Sequence, residues 1–397
     1  MVFRLPKGFR FAGVHCGVKS DPNNRDLTLV VSDTPAVAAG VYTRNLVFAA
    51  PVAVDRARTP CDEIRAVVVN SGNANACTGK RGQADALRMA ELAAAVCSAP
   101  AEAGLVMSTG IIGEFMPMEK IEKGIASAAE QLGDDADAFD AAARGMLTTD
   151  TVTKVSSREL TIGGNEVCIA GMAKGAAMIG PNMATMLGLI LTDAAISKEN
   201  AQAVLASAIA DSFNCISVEG HTSTNDTVLL LANGSAETAL LAGDDLTAFS
   251  AAVAEVCQEL AKAIPADGEG ATHLITIEVT GAAGRDEAFK IAKTVANSPL
   301  VKTAVTGADP NWGRIVSAAG YAGVPFDPTK VNLQVNGIPL YEAGSPLEFD
   351  EEAASKSIAD NRDTLVELQF GEGNGFARFW TTDLTAEYVR LNADYHT

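Results

Sequence analysis

The sequence predicts an α/β protein in which helices and strands are layered in α+β fashion, and three observations carry that expectation. Strand-like and helix-like segments interleave along the 397 residues rather than falling into separate blocks. The apolar run LGLILT at 187–192 is short, unbroken and bounded by turn residues, the signature of a strand buried on both faces. A long amphipathic stretch at 245–263 reads instead as a helix with one buried side. A chain of this length can form two or three domain-sized units or one large intertwined body, and it can bury a substantial core.

Taken in order, the chain opens with alternating runs such as DLTLVVSD and AVAAGVYT, so that everything up to about residue 65 reads as β-structure. A strand at 65–70 runs into the small polar groups Ser71, Gly72, Asn73, Ala74 and Asn75, which lie just before a helix at 83–97. The strand GLVMSTG ends in Ser108, Thr109 and Gly110, and helices follow near 118–132 and 135–146. A polar linker, TTDTVT at 148–153, leads into the strand pair ELTIGG and EVCIAGMA. After the strand at 187–192 come a helix at 198–212 and a polar cluster, Thr222, Ser223, Thr224, Asn225 and Asp226, which enters a strand. The 245–263 helix ends at IPADGEGATH, where Gly268 and Gly270 bracket Glu269. The remainder alternates HLITIEVTG, DEAFKIAKTVANS and TGADPNWGRIVSAAG with strands around VNLQVNG, TLVELQFG and GFARFWTTD, and closes on LTAEYVRLNADYHT. No repeat or low-complexity tract interrupts it.

Composition narrows the function classes. Hydrophobic residues at 48% and charged residues at 20% are globular proportions. The mean hydropathy of +0.14 reflects many Ala and Val, not a membrane span. The N-terminal MVFRLPKGFRFAG has no continuous apolar segment or cleavage site of a secretory signal, so a cytoplasmic location is expected. Cys16, Cys61, Cys77, Cys97, Cys168, Cys215 and Cys257 form no CxxC pair, and the four histidines are dispersed, which speaks against zinc and against a disulfide framework. A net charge of −19 would repel a phosphate backbone, so small metabolites are the expected partners rather than nucleic acid.

One stretch fits neither helix nor strand. In KGAAMIGPNMATMLG, residues 174–188, glycines and Pro181 punctuate a turn that delivers Thr185 to the head of the buried strand. If the peptide bond before Thr185 were cut, its new α-amine would lie within reach of its own Oγ and titrate near neutrality, making the hydroxyl a good nucleophile. Read alone, the segment is more simply a Gly-rich connection. A nucleophile also needs an oxyanion site and substrate-holding groups. Ser108, Thr109 and Gly110 can supply the first, while Lys174 and Glu269 suit a carboxylate and an ammonium.

The segments VVVNSGNANACTG, MSTGIIG, KGAAMIGPNMATML, TSTNDTVLLLA, DGEGATH, ANSPLVKTAVTGADPNWGRI and NADYHT, in that order, cover nearly the whole chain. Together they closely resemble the ornithine acetyltransferase (glutamate N-acetyltransferase) family of arginine biosynthesis. The resemblance implies a precursor that cuts itself between Ala184 and Thr185, giving an α chain (1–184) and a β chain (185–397) that remain intertwined, commonly as α2β2. It implies that Thr185 carries an acetyl group from N-acetylornithine to glutamate by ping-pong chemistry, releasing ornithine. It further implies Thr109 and Gly110 as the oxyanion hole, and Thr151, Lys174, Thr185, Glu269, Asn392 and Thr397 as substrate contacts. No cofactor and no metal are implied. Acetyl-CoA serves some members as an additional donor, and nothing in this sequence marks that use.

Departures from the family pattern fall at Ala177, Gly180, Glu219, His221 and His273. None removes the nucleophile, but Glu219 and His221 adjoin the polar cluster and leave substrate preference open. A self-processing aminopeptidase or amidase using the same threonine is the rival reading, and an uncleaved binding protein is the non-enzymatic one. A dinucleotide or P-loop enzyme is disfavoured, since no GxGxxG or GxxxxGK[ST] follows a strand.

Overall fold

The structure, a computed structural model, describes residues 4–180 and 186–394. Its first nine strands are β1 (Phe9–Val14), β2 (Leu27–Tyr42), β3 (Cys61–Asn73), β4 (Gly104–Ile111), β5 (Lys154–Ile162), β6 (Asn165–Lys174), β7 (Leu187–Thr192), β8 (Ile216–Ser217) and β9 (Thr227–Ala232). The last six are β10 (Leu274–Ala282), β11 (Asn332–Val335), β12 (Ile338–Glu342), β13 (Ser345–Pro346), β14 (Asp363–Gln369) and β15 (Gly375–Thr382). Among the described residues these build two sheets. The first runs β4-β3-β2-β9-β7-β6-β5 with β1 added against β2, and the second runs β13-β12-β11-β14-β10-β15-β8.

The centre of the first sheet follows from sequence. LGLILT and TVLLLA are buried at every position, so β7 and β9 need cover on both faces, and they pair in parallel. One face, carrying Val30, Val67, Val69, Leu189 and Leu229, packs on Phe139, Ala142 and Met146 of helix Ala136–Met146. On the other face Ile169, Ile190 and Leu230 meet Leu205 of helix Lys198–Ala210 and Val253, Val256 and Leu260 of helix Gly243–Ala266. The same core continues into Ile275, Ile277 and Phe379 of the second sheet. The layered α/β expectation is met.

One early segment differs from expectation. Residues up to about 65 include helix Ala50–Arg58, where Pro51 occupies the first turn and Val52 and Val54 are buried. The spacing of those two valines imitates a strand, while the proline pre-sets a helical φ and forgoes only an N–H that has no partner in a first turn. No helix of the described residues is long and apolar enough to cross a membrane.

Strand order has a further consequence. β9 and β7 lie after residue 185 in sequence, yet in space they sit between β2 and β6, which lie before it. Strand β2 pairs β9, and β6 pairs β7, through six residue pairs each. The two halves of the chain therefore share one sheet.

Candidate functional site

The ends of several strands converge on one pocket, lined by Thr109 and Gly110 from β4, Lys174 from β6, Thr148 and Thr149 from the linker, Ser223 to Asn225 before β9, and Glu269 and Asn392. Parallel pairing of β3 with β4 sets Ser71 opposite Thr109 and Gly72 opposite Gly110. Gly110 has φ +131°, and a Cβ there would come within 2.3 Å of the Gly72 carbonyl carbon, so the close approach of these strand ends demands glycine. Asn225, buried, holds the same wall: its Nδ2 donates to Ala74 O at 2.6 Å and to Ser108 O at 2.8 Å.

Lys174 is buried at the end of β6, and its Nζ donates to Thr109 Oγ1 at 3.2 Å and to Thr148 Oγ1 at 2.8 Å. Because the Thr109 oxygen accepts from Lys174, its own hydroxyl hydrogen can serve as a donor, which is what an oxyanion site requires. Burial lowers the Lys174 pKa, opposed by the negative charge of Asp150. Asp150 is itself buried, which alone would raise its pKa. The charges of Lys174 and Lys154 outweigh burial and bring it down to about 2. Its Oδ1 also accepts the Gly175 N–H at 2.6 Å. Lys154 Nζ bridges Asp150 at 2.7 Å and Asp267 at 2.6 Å. Lys174, Asp150, Lys154 and Asp267 thus form an alternating row of charges beneath the pocket.

The opposite side is open to solvent. Glu269 follows the end of helix Gly243–Ala266, and its N–H donates to Ala176 O at 2.9 Å. Its Oε2 accepts from Asn392 Nδ2 at 2.8 Å. Asn392 arrives on helix Ala386–Asp394, which docks closely on Gly270: a Cβ there would lie 2.5 Å from the Tyr388 nitrogen, and Thr385 Oγ1 donates to Gly270 O at 2.7 Å.

Of the residues expected from sequence, Thr109, Gly110, Lys174, Glu269 and Asn392 share the pocket. Thr151 does not line it. Thr151 donates from its N–H to Asp267 at 3.0 Å, bonds the same carboxylate through Oγ1, and lines the adjoining cleft beside Glu269 and Arg362. Ala184, Thr185 and Thr397 lie outside the described residues. Asp150, Lys154 and Asp267 were not singled out from sequence, although Asp150 and Lys154 stand four apart within and beside the TTDTVT linker, and Asp267 opens the DGEG turn. Among the described residues no group of three or more His, Cys, Asp or Glu is arranged to hold a metal ion.

A model of the ArgJ family matches residues 10–397. The arginine biosynthesis bifunctional protein ArgJ of Rhodopirellula baltica is 49% identical over 99% of this chain and 96% of its own length. Its counterpart from Thermotoga neapolitana is 44% identical over 99% of this chain and 100% of its own. Among solved structures, the arginine biosynthesis bifunctional protein argJ of Bacillus halodurans aligns at 41% identity with a TM-score of 0.51, covering 52% of this chain and 98% of that one.

Proposed function

The chain belongs to the ArgJ family of arginine-biosynthesis acetyltransferases, and we propose that it moves an acetyl group from N-acetylornithine to glutamate through an ester on Thr185. One observation carries the reading: a hydroxyl and a glycine at a strand end, a buried ammonium and a half-buried carboxylate surround one pocket. The chain re-enters the described structure beside that pocket at Met186, whose N–H is held by Asp226, the neighbour of pocket-lining Asn225.

Processing comes first. Thr185 Oγ attacks the Ala184 carbonyl carbon, the C–N bond breaks as the departing amine takes up a proton, and water hydrolyses the resulting ester. The freed α-amine of Thr185 then accepts the Oγ proton while Oγ attacks the acetyl carbon of N-acetylornithine. The oxyanion faces the Thr109 hydroxyl and the Gly110 backbone, a pair of donors of the kind whose removal costs about 3 kcal/mol of barrier. Collapse expels the ornithine α-amine, which is protonated, and leaves the acetyl ester. The glutamate amine attacks that ester in turn and restores the hydroxyl. Lys174 faces the substrate α-carboxylate, and Glu269, oriented by Asn392, faces the ornithine side-chain ammonium. Thr397 and Thr151 complete the substrate contacts, Thr151 from the adjoining cleft.

The interleaved strand order supports fragments that remain together after the cut, as an α2β2 assembly would require. So does a solved relative whose chain is covered over 98% of its length yet spans 52% of this one, about what a single fragment would span. Acetyl-CoA as an additional donor belongs to the same proposal.

Intact mass under denaturing conditions tests processing, with two fragments beginning at Met1 and Thr185 expected and a single 41.0 kDa chain contradicting the reading. Thr185→Ala is expected to abolish cleavage and transfer together. Incubation with N-acetylornithine, with and without glutamate, separates transfer from hydrolysis: acetate released regardless of glutamate would make the protein an amidase.

A further inference from the structure

Asp226 has no role in that scheme, yet it is a fully buried acid at the head of β9. Its Oδ1 accepts the Met186 N–H at 3.1 Å. The next residue, Thr227, donates its N–H to Met186 O at 3.2 Å. Two consecutive residues therefore hold both backbone polar groups of Met186, whose side chain is buried as well. Asp226 is anchored in its turn, because its carbonyl accepts the Thr43 N–H at 2.9 Å just past the end of β2. Its other carboxyl oxygen has no hydrogen-bond partner among the described residues. Burial pushes the carboxyl well above the ordinary range, against the opposing influence of the Met186 N–H, the Thr43 and Ser223 hydroxyls and the Lys174 ammonium. The shift is opposite in direction to that of Asp150, whose carboxyl two lysines hold down.

We propose that Asp226 is a positioning residue of the reaction: its carboxyl anchors the peptide unit that joins residue 185 to β7, so that Thr185 meets Thr109 and Gly110 in one geometry before and after the cut. A peptide unit is planar, so a hold on its N–H restricts the residue on its other side. Once the chain is cut, residue 185 becomes a terminus, and termini fray unless they are tied down. Being fully buried, Asp226 acts through Met186 and not by touching substrate. The inference rests on Thr185 as the nucleophile.

The test compares Asp226→Asn, which keeps an acceptor oxygen in the same place, with Asp226→Ala and Asp226→Ser, which cannot reach Met186. Processing is followed by intact mass, and kcat and KM for N-acetylornithine are measured on the processed fraction. A nucleophile displaced by about 1 Å loses on the order of 100-fold in rate, so the Ala and Ser variants are expected to process slowly and to lose about 10- to 100-fold in kcat with KM within about twofold. Asp226→Asn is expected to recover kcat to within about threefold of wild type, since it keeps the geometry on which that loss depends. The proposal is overturned if Asp226→Asn is as impaired as Asp226→Ser, if the truncated variants keep wild-type kcat, or if the loss lies in KM. Should Asp226→Ala fail to fold, the Asn and Ser pair decides. Wild-type protein left uncut while transferring acetyl would refute the Thr185 reading itself. Normal wild-type processing with unaffected Asp226 variants would refute the positioning role alone.

Discussion

Strand β5 is joined twice to the region of helix Gly243–Ala266 by ion pairs, and the two connections differ in nearly everything but charge. At its start, Lys154 bridges Asp150 and Asp267 with side chains that are 0%, 0% and 8% exposed. Four residues on, Arg158 meets Glu255 at 2.7 Å and also pairs with Glu259, where the three side chains are 28%, 59% and 52% exposed. The outer cluster gives up little hydration and gains little, because water screens it. The inner row has given up nearly all of its hydration, so each charge depends on the next, and its far end is the ammonium of Lys174 in the pocket. Proximity of opposite charges is common to both. Burial alone makes one of them part of the site.

The sharpest way to break this contrast is Lys154→Met. It leaves two carboxylates facing each other in the interior, and loss of one partner from a buried pair costs about 3–5 kcal/mol. The urea midpoint should fall accordingly, and transfer should fall with it, since Asp150 also holds the Gly175 N–H next to Lys174. A loss under about 1 kcal/mol would place the row in the same class as the Arg158 cluster.

Acid comes next in size. The Asp150 pKa is lowered from 3.8 to about 2 in the folded protein. A depressed carboxylate contributes stability that is present above its unfolded value and lost as pH falls through the folded one. About 2 kcal/mol should therefore disappear between roughly pH 4 and pH 2. Urea unfolding across that range should show the decline in wild type and a shallower one in Lys154→Met, where one of the two depressing charges is gone and Lys174 remains. Equal slopes would detach Asp150 from this effect.

Smallest is Arg158→Ala, for which an exposed cluster predicts about 0–1 kcal/mol. Transfer rates should not change. A larger destabilisation, undiminished by salt, would show that exposure is not what separates the two connections.

Much of the architecture was legible because it is written locally. Continuous apolar runs marked β7 and β9, amphipathic periodicity marked the long helix, and the Gly-Pro segment before Thr185 stood out because it suited neither state. Helix Ala50–Arg58 was missed since its two buried valines, two residues apart, fit the strand period and not the helical one. Thr109, Gly110, Lys174 and Glu269 were candidates by residue type, and only a resemblance spread over the whole chain gave them and Asn392 their roles, since each alone would have passed for an ordinary turn, solvated lysine or surface acid.

The sequence by itself determined the layered α/β class, the buried central strands and the family. It did not contain the pairing of Lys154 with Asp267, 113 residues away, or of Asn392 with Glu269, 123 residues away. Only the tertiary structure decided that Thr151 turns to Asp267, that two strands from after residue 185 lie between strands from before it in one sheet, and that Asp226 holds Met186. The physical reason is the same in each case. Periodicity and turn chemistry act over a few residues, whereas the value of a charge or hydrogen bond depends on what distant chain excludes water from it.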